Sequence, residues 1–263
     1  MSADVRAVPE ALRAWFEAHP RFALAFSGGC DSAYLFYAAT ACGADFATYY
    51  VQSPFQPAFE LEDARRLARE LGRQLRVLPL DVLADAQVRS NPPDRCYHCK
   101  RRIFGAICAR AAAEGYDLAI DGTNASDDAG DRPGMRALRE LEVASPLRIC
   151  GISKAQVRAL SREAGLFTWN KPAYACLATR VPAGTPIEAA ALERIERAGA
   201  ALAELGLSDF RARITDRGVR LELTEPDMAL LMRRRAEVCA ALETYFGEIA
   251  LDLRPRAGLE IEG

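Results

Sequence analysis

Ser27-Gly28-Gly29-Cys30-Asp31-Ser32 stands between a short apolar run, FALAF (22–26), and an apolar helical stretch, AYLFYAAT (33–40). A glycine-rich turn from strand to helix suits an anion. Residues without Cβ let the backbone approach, and the N–H groups of the loop and helix start point at the bound oxygens. Ser27 and Ser32 add hydroxyl donors, and Asp31 can help hold Mg2+. The loop is neither GxxxxGK[ST] nor GxGxxG. Its five specified positions, at about 7% usage each, arise by chance in such a chain at roughly 3 × 10⁻⁴. A Gly-Gly turn that binds nothing is the bland alternative.

Cysteines form the second group. Cys96 and Cys99 lie three apart at the start of a helical stretch, RCYHCKRRIFGAICARAAAEG, that Asp94 could cap. That spacing puts both thiols on one face, at the end where the helix dipole favours thiolate. Cys176 lies in ACLATR. A CxxC pair also reads as a zinc or redox site, and structural zinc wants one more ligand than these three cysteines. His98 falls away from the 96/99 face. Cys30 fills the variable position of the glycine loop, where it can serve packing alone. Cys42, Cys108, Cys150 and Cys239 sit among apolar or small residues and are expected to be buried fillers.

Basic and acidic residues complete the set. Lys100 and Arg180 could meet a phosphate or carboxylate, or simply face solvent. Arg211 and Arg213 alternate along FRARIT, so they share a strand face and form a bidentate cradle suited to a nucleotide phosphate. An exposed strand would look the same. Gly122 and Thr123, just after an apolar run, are expected to line the nucleotide site. Asp121, Asp127, Asp128 and Asp131 follow there as metal candidates, and Glu222 could hold a metal or a neighbouring chain.

These residues need positioning elements. Short apolar runs at 22–26, 47–53, 75–82 and 117–124 alternate with helical stretches at 33–40, 57–72 and 95–115. That alternation predicts an α/β fold with a mostly parallel sheet flanked by helices, which binds ligands at the carboxyl ends of its strands. Ser153-Lys154-Ala155-Gln156 reads as a capping box for a helix ending at Gly165. Residues 169–187 read as a loop, and Thr185-Pro186-Ile187-Glu188 as a helix start with Pro first. FRARIT and VRLELT alternate around Asp216-Arg217-Gly218, a hairpin. A helix over 226–246 and the strand IALDLR complete a smaller α+β region. The boundary falls near residue 170, giving expected domains 1–170 and 171–263.

The 263 residues carry 34 Lys+Arg against 36 Asp+Glu, a net charge of −2, which argues against a strongly basic nucleic-acid binder. Half the residues are hydrophobic and 27% are charged, an ordinary globular balance. No apolar run approaches the roughly 18 residues of a membrane span. The first residues lack the apolar core of a signal peptide, so a cytoplasmic protein with no membrane partner is expected. Eight cysteines are too sparse for a disulfide scaffold.

SGGxDS after the first strand resembles the PP-loop pyrophosphatase motif, whose superfamily cleaves ATP to AMP and pyrophosphate. The resemblance implies ATP across the strand ends, with phosphates at 27–32 and adenine near Val51-Gln52-Ser53. NPPDRCYHCKRR, DGTNASDDAGDRPG and WNKPAYACLATRVPAGTPI together resemble the ATP-dependent sacrificial sulfur transferase family, over about residues 20–255. This second resemblance implies a pyridinium-3,5-dicarboxylate mononucleotide as substrate. It would be adenylated on a carboxylate and given sulfur, twice over, in nickel-pincer nucleotide biosynthesis. One branch of the family holds a [4Fe–4S] cluster on three cysteines, leaving one iron for an extra sulfide. Cys96, Cys99 and Cys176 resemble that set, which would require a sulfide source and would spare Cys176. The family tends toward higher homo-oligomers. Where its members often carry an acid, a turn before LAELG, this chain has Gly199. Rival readings are a PP-loop tRNA thiolase and a non-enzymatic ATP- or zinc-binding module.

Overall fold

The apolar run after residue 20 becomes an inner strand because both of its faces find a partner. In the computed structural model, which describes residues 4–127, 133–172 and 174–257, the elements begin α1 (Glu10–Ala18), β1 (Arg21–Ala25), α2 (Cys30–Ala41), β2 (Asp45–Gln52), α3 (Ala58–Glu70) and β3 (Leu75–Pro79). They continue α4 (Ala86–Arg89), α5 (Arg95–Ala113), β4 (Ala119–Ile120), α6 (Pro133–Glu140), α7 (Pro146–Ile149) and α8 (Lys154–Glu163). Last come α9 (Ala189–Glu204), β5 (Phe210–Ile214), β6 (Gly218–Leu223), α10 (Glu225–Arg233), α11 (Arg235–Glu243) and β7 (Glu248–Leu251). The chain divides into two compact units. The first is Met1–Ser53, Ala58–Val82 and Asp94–Lys171; the second is Pro54–Pro57, Leu83–Pro93 and Pro172–Gly263.

The first unit is α/β, with a parallel sheet in the order β3-β2-β1-β4. Phe22 and Leu24 of β1 pack into a core with residues of α1, α2, α3 and α8. Ala23 and Ala25, pointing the other way, join Tyr49 and Val51 of β2 against Phe104 and Ile107 of α5 and Leu138 of α6. A sheet covered on both faces reads as apolar runs rather than strict alternation, which is what made its strands legible. The fourth strand is far shorter than 117–124. Only Ala119 and Ile120 pair with β1, because Asp121 then turns its carboxylate inward to accept hydrogen bonds from Thr123 and Ser145.

Two helix starts differ in how far local chemistry sets them. At α8 the Ser153 hydroxyl accepts from the Gln156 N–H while the Gln156 side chain accepts from the Ser153 N–H, the full capping box. Asp94 stands at the N-cap of α5 but makes no side-chain cap bond; its carboxylate lies 3.3 Å from His98 Nε2 instead.

The second unit holds a mixed sheet, β5-β6-β7, with β5 and β6 antiparallel across the expected hairpin and β7 parallel to β6. Gly218 admits β7, since a Cβ there would collide with the Glu248 backbone. Two expectations fail in this unit. α9 begins at Ala189, not at Pro186, because Glu188 is extended and the Ile187 N–H is drawn to the Arg89 carbonyl. The helix over 226–246 is broken at Arg234 (φ −109°, ψ 23°), whose guanidinium crosses to the Leu205 carbonyl at 2.8 Å. No helix among the described residues is long and apolar enough to cross a membrane.

The capping box gives a direct stability test. Ser153→Ala removes the acceptor for an otherwise orphaned N–H and is expected to cost about 1 kcal/mol. Calorimetry should then show the unfolding midpoint lower by roughly 2–4 °C. An unchanged midpoint would mean that the box contributes no stability.

Candidate active site

β1 delivers the chain into Ser27–Gly29, and α2 starts at Cys30 with Gly29 as its N-cap. Gly28 has φ +78°, in the left-handed region that favours glycine. The Ser27 and Ser32 hydroxyls stand 3.0 Å apart, and Ser32 Oγ also accepts from the Ser27 N–H. The strand order reverses at β1: β2 and β3 lie on one side, β4 on the other. Open α/β sheets bind ligands at such a switch point. Here it brings together the 27–32 loop and Asp121-Gly122-Thr123. The fit is tight, since a Cβ on Gly122 would lie 2.7 Å from Ser32 N and 2.9 Å from Ser32 Cα. Ser53, just past β2, is buried.

Charged groups gather at this loop from distant segments. Asp31, in the first turn of α2, receives Lys154 Nζ at 2.5 Å and Asn124 Nδ2 at 3.4 Å. Lys171 Nζ donates to the Gly28 carbonyl at 3.2 Å and to Asp63 at 2.7 Å. Burial pushes the Glu60 carboxyl up to about 7, and Asp63 adds to the rise against the opposing charge of Lys171. None of Lys154, Lys171, Asp63, Glu60 and Asn124 stood out in the sequence. They lie up to 143 positions from their loop partners, and no local spacing marks them.

The acidic stretch after β4 sorts itself. Asp121 is buried, with its carboxylate taken by Thr123 and Ser145, so it braces the loop. The Thr123 hydroxyl is the donor in that bond, at 2.5 Å. Asp127 accepts from the Asn124 N–H at 2.9 Å. Asp128 and Asp131 lie outside the described residues.

Cys96 and Cys99 are the second and fifth residues of α5; Cys96 is exposed with Arg95 donating to its sulfur at 3.6 Å, and Cys99 is half-buried. Lys100 lies along Gly134, its ammonium 6.0 Å from the Phe104 ring centroid. All eight cysteines are thiols. Among the described residues no group of three or more His, Cys, Asp or Glu side chains is placed to hold a metal ion. Cys30 is buried, 3.8 Å from Ser161 Oγ, and burial pushes its thiol pKa up. Cys42, Cys108, Cys150 and Cys239 are half-buried, not buried as expected. Cys42 and Cys150 are C-cap residues of α2 and α7, where the chain leaves its helix.

In the second unit, Cys176 precedes a single 3-10 turn, Leu177–Arg180, and its carbonyl accepts from the Thr179 N–H and hydroxyl. Arg180 is buried, and the Tyr174 ring lies 5.1 Å from its guanidinium and 5.7 Å from that of Arg211. Arg213 donates to the Thr179 carbonyl at 2.7 Å and to Glu222 at 2.6 Å. Burial, then the charge of Arg180, pushes the Arg211 guanidinium down to about 10; burial also lowers Arg180, with Arg213 contributing. Glu222 and Asp209 are the acids ion-paired within this group, Asp209 with Arg211 and Arg256. Burial acts to raise the Glu222 carboxyl, but Arg213 and Arg220 hold it below its usual range. Among the described residues positive charge is therefore in excess and partly desolvated, which suits an anion. A Cβ on Gly199 would meet the Phe210 ring at 3.9 Å, so packing does not exclude a side chain there.

No protein-family model matches the chain. It is 33% identical over 236 residues to the pyridinium-3,5-bisthiocarboxylic acid mononucleotide synthase of Lactiplantibacillus plantarum, covering 89% of this chain and 86% of that one. It is 36% identical over 215 residues to an uncharacterised protein of Synechocystis, covering 81% and 80%. An uncharacterised protein of Methanocaldococcus jannaschii is 26% identical over 231 residues, covering 88% of each.

Glu60 makes the loop's surroundings sensitive to pH. Its carboxyl titrates near 7 in the folded chain against 4.5 as a free group, so the native state holds the extra proton between those values. Stability should therefore fall as pH rises from about 4.5 to about 7. Glu60→Gln should flatten that part of the curve in urea titrations. Parallel curves for the two proteins would show that this carboxylate is well solvated.

Proposed function

The chain belongs to the LarE-like sulfur transferase family of the PP-loop superfamily, and on that premise we propose that it converts the carboxylates of pyridinium-3,5-dicarboxylic acid mononucleotide to thiocarboxylates in nickel-pincer nucleotide biosynthesis. ATP activates each carboxylate first. The observation that carries this reading is the Ser27–Ser32 loop at the sheet's switch point, with Gly122 pressed against its helix start.

A carboxylate is a poor electrophile, because its charge repels nucleophiles and oxide leaves badly. In the proposed first step a carboxylate oxygen bonds to the α-phosphorus of ATP. The bond from that phosphorus to the bridging oxygen breaks, and pyrophosphate leaves with the electron pair. The N–H groups of residues 28–32 and the Ser27 and Ser32 hydroxyls stabilise the departing charge, with adenine near Val51–Ser53 and with Gly122 and Thr123 along the other wall. Asp31 would hold Mg2+, which neutralises phosphate charge. Lys100 and Arg180 would orient the substrate carboxylate, and Arg211 and Arg213 its phosphate.

Sulfur then displaces AMP from the acyl carbon. Cysteine thiolates are the donor type that an iron–sulfur cluster takes, and two of the three candidates stand one helical turn apart. Cys96, Cys99 and Cys176 would hold a [4Fe–4S] cluster, which supplies the transferred sulfide when bound.

The first test is pyrophosphate release from ATP, which should require the pyridinium nucleotide. Asp31→Ala should abolish it without changing iron content, whereas Cys176→Ala should still release pyrophosphate and form no thio product. Normal release by Asp31→Ala would refute the loop assignment. The second test is iron and acid-labile sulfide on protein purified without oxygen, expected at about four of each per chain. Absence of iron after reconstitution would make Cys176 a consumed sulfur donor.

A further inference from the structure

The Ser27–Ser32 loop contains no lysine. Loops of the GxxxxGK[ST] type place one against the β- and γ-phosphates, and a polyphosphate chain needs that cation. The fold brings two lysines to this loop from far along the chain. They are held differently. Lys171 is 15% exposed and committed both to the Gly28 carbonyl and to Asp63, so it acts as a staple already neutralised by its acid. Lys154 is 34% exposed, and among the described residues its ammonium rests on one acceptor, Asp31.

We propose that Lys154 is the exchangeable cation of the phosphate loop: its ammonium, held by Asp31 in the unliganded chain, moves to a phosphate oxygen when a polyphosphate binds. The inference rests on the ATP reading above and assigns a ligand within it. Three observations carry it. Asp31 lies in the first turn of α2, so an ammonium 2.5 Å from its carboxylate is already beside the N–H groups that would receive the anion. The Lys154 backbone is anchored as the first residue of α8, by the capping box and by its N–H donating to Ser126 Oγ at 3.0 Å, so only the side chain has to move. A partly exposed ion pair is weak, so a multiply charged anion competes for the ammonium. The exchange makes no covalent bond and transfers no proton.

Binding of inorganic pyrophosphate in the presence of EDTA, followed by calorimetry, isolates this contact from Mg2+ and from turnover. Lys154→Met should weaken binding about tenfold, the loss typical of one charge-assisted hydrogen bond, and Lys154→Arg should restore most of it. Asp31→Asn should tighten binding several-fold, because the competing carboxylate is gone. A purely structural role predicts the reverse for Asp31→Asn, since breaking the pair from either side would then weaken binding. Equal affinity of wild type and Lys154→Met, or weakened binding by Asp31→Asn, would overturn the proposal. Should Lys154→Met fail to fold, the Asp31→Asn and Lys154→Arg arms still decide. Failure of the wild type to bind Mg·ATP or pyrophosphate would instead overturn the ATP reading, and this inference with it.

Discussion

The first unit depends on one backbone contact, the approach of Gly122 to the start of α2. With 2.7 Å between Ser32 N and the point where a Cβ would stand, no other residue fits without moving the helix or β4. The loop is crowded from the other side as well, since a Cβ on Gly28 would meet the Glu60 carbonyl at 3.1 Å. The Ser27–Ser32 loop is thus held between two segments by backbone surfaces, which are stiffer than side chains. Asp121 serves the same end: its buried carboxylate, satisfied by Thr123 and Ser145, turns the chain so that Gly122 reaches the helix. Preorganisation of this kind lets N–H donors act on developing charge without reorganising first.

The two units treat charge differently, and the difference follows from burial. Around the Ser27–Ser32 loop each lysine is paired with an acid, Lys154 with Asp31 and Lys171 with Asp63. Among the described residues of the second unit guanidiniums outnumber the acids that pair with them, and Arg180 and Arg211 are almost wholly buried. Desolvation of a positive charge is unfavourable, which lowers both guanidinium pKa values. An arriving anion would relieve that cost as well as supply its own attraction. Tyr174 lies beside two of these guanidiniums and offers them a polarisable ring face.

Much of the fold was legible because its signals are local. β1, β2, α2, α3 and α5 appear where apolar runs and helical spacing placed them, and the Ser153 capping box is fully formed. Gly72 and Gly165 adopt positive φ just past α3 and α8. The errors lie where a distant group outcompetes a local preference. Thr185-Pro186 has the chemistry of a helix start, yet Ile187 is drawn to Arg89. Arg234 lies within a continuous helical pattern, yet the chain bends there and its guanidinium reaches Leu205. Asp94 could cap α5 but pairs with His98.

The candidate site divides along the same line. By itself the sequence determined the glycine-rich turn at Ser27–Ser32, the CxxC pair at a helix start and the alternating arginines, because each is a spacing within a few residues and spacing sets which groups share a turn or a face. Tertiary structure alone decided which lysine meets Asp31, which carboxylate is buried at pH-sensitive depth, and which acid after β4 braces the loop. Those partners are brought together by packing across more than a hundred residues in some pairs, and their charge states depend on burial. Neither the pairing nor the burial leaves a periodic trace in the chain.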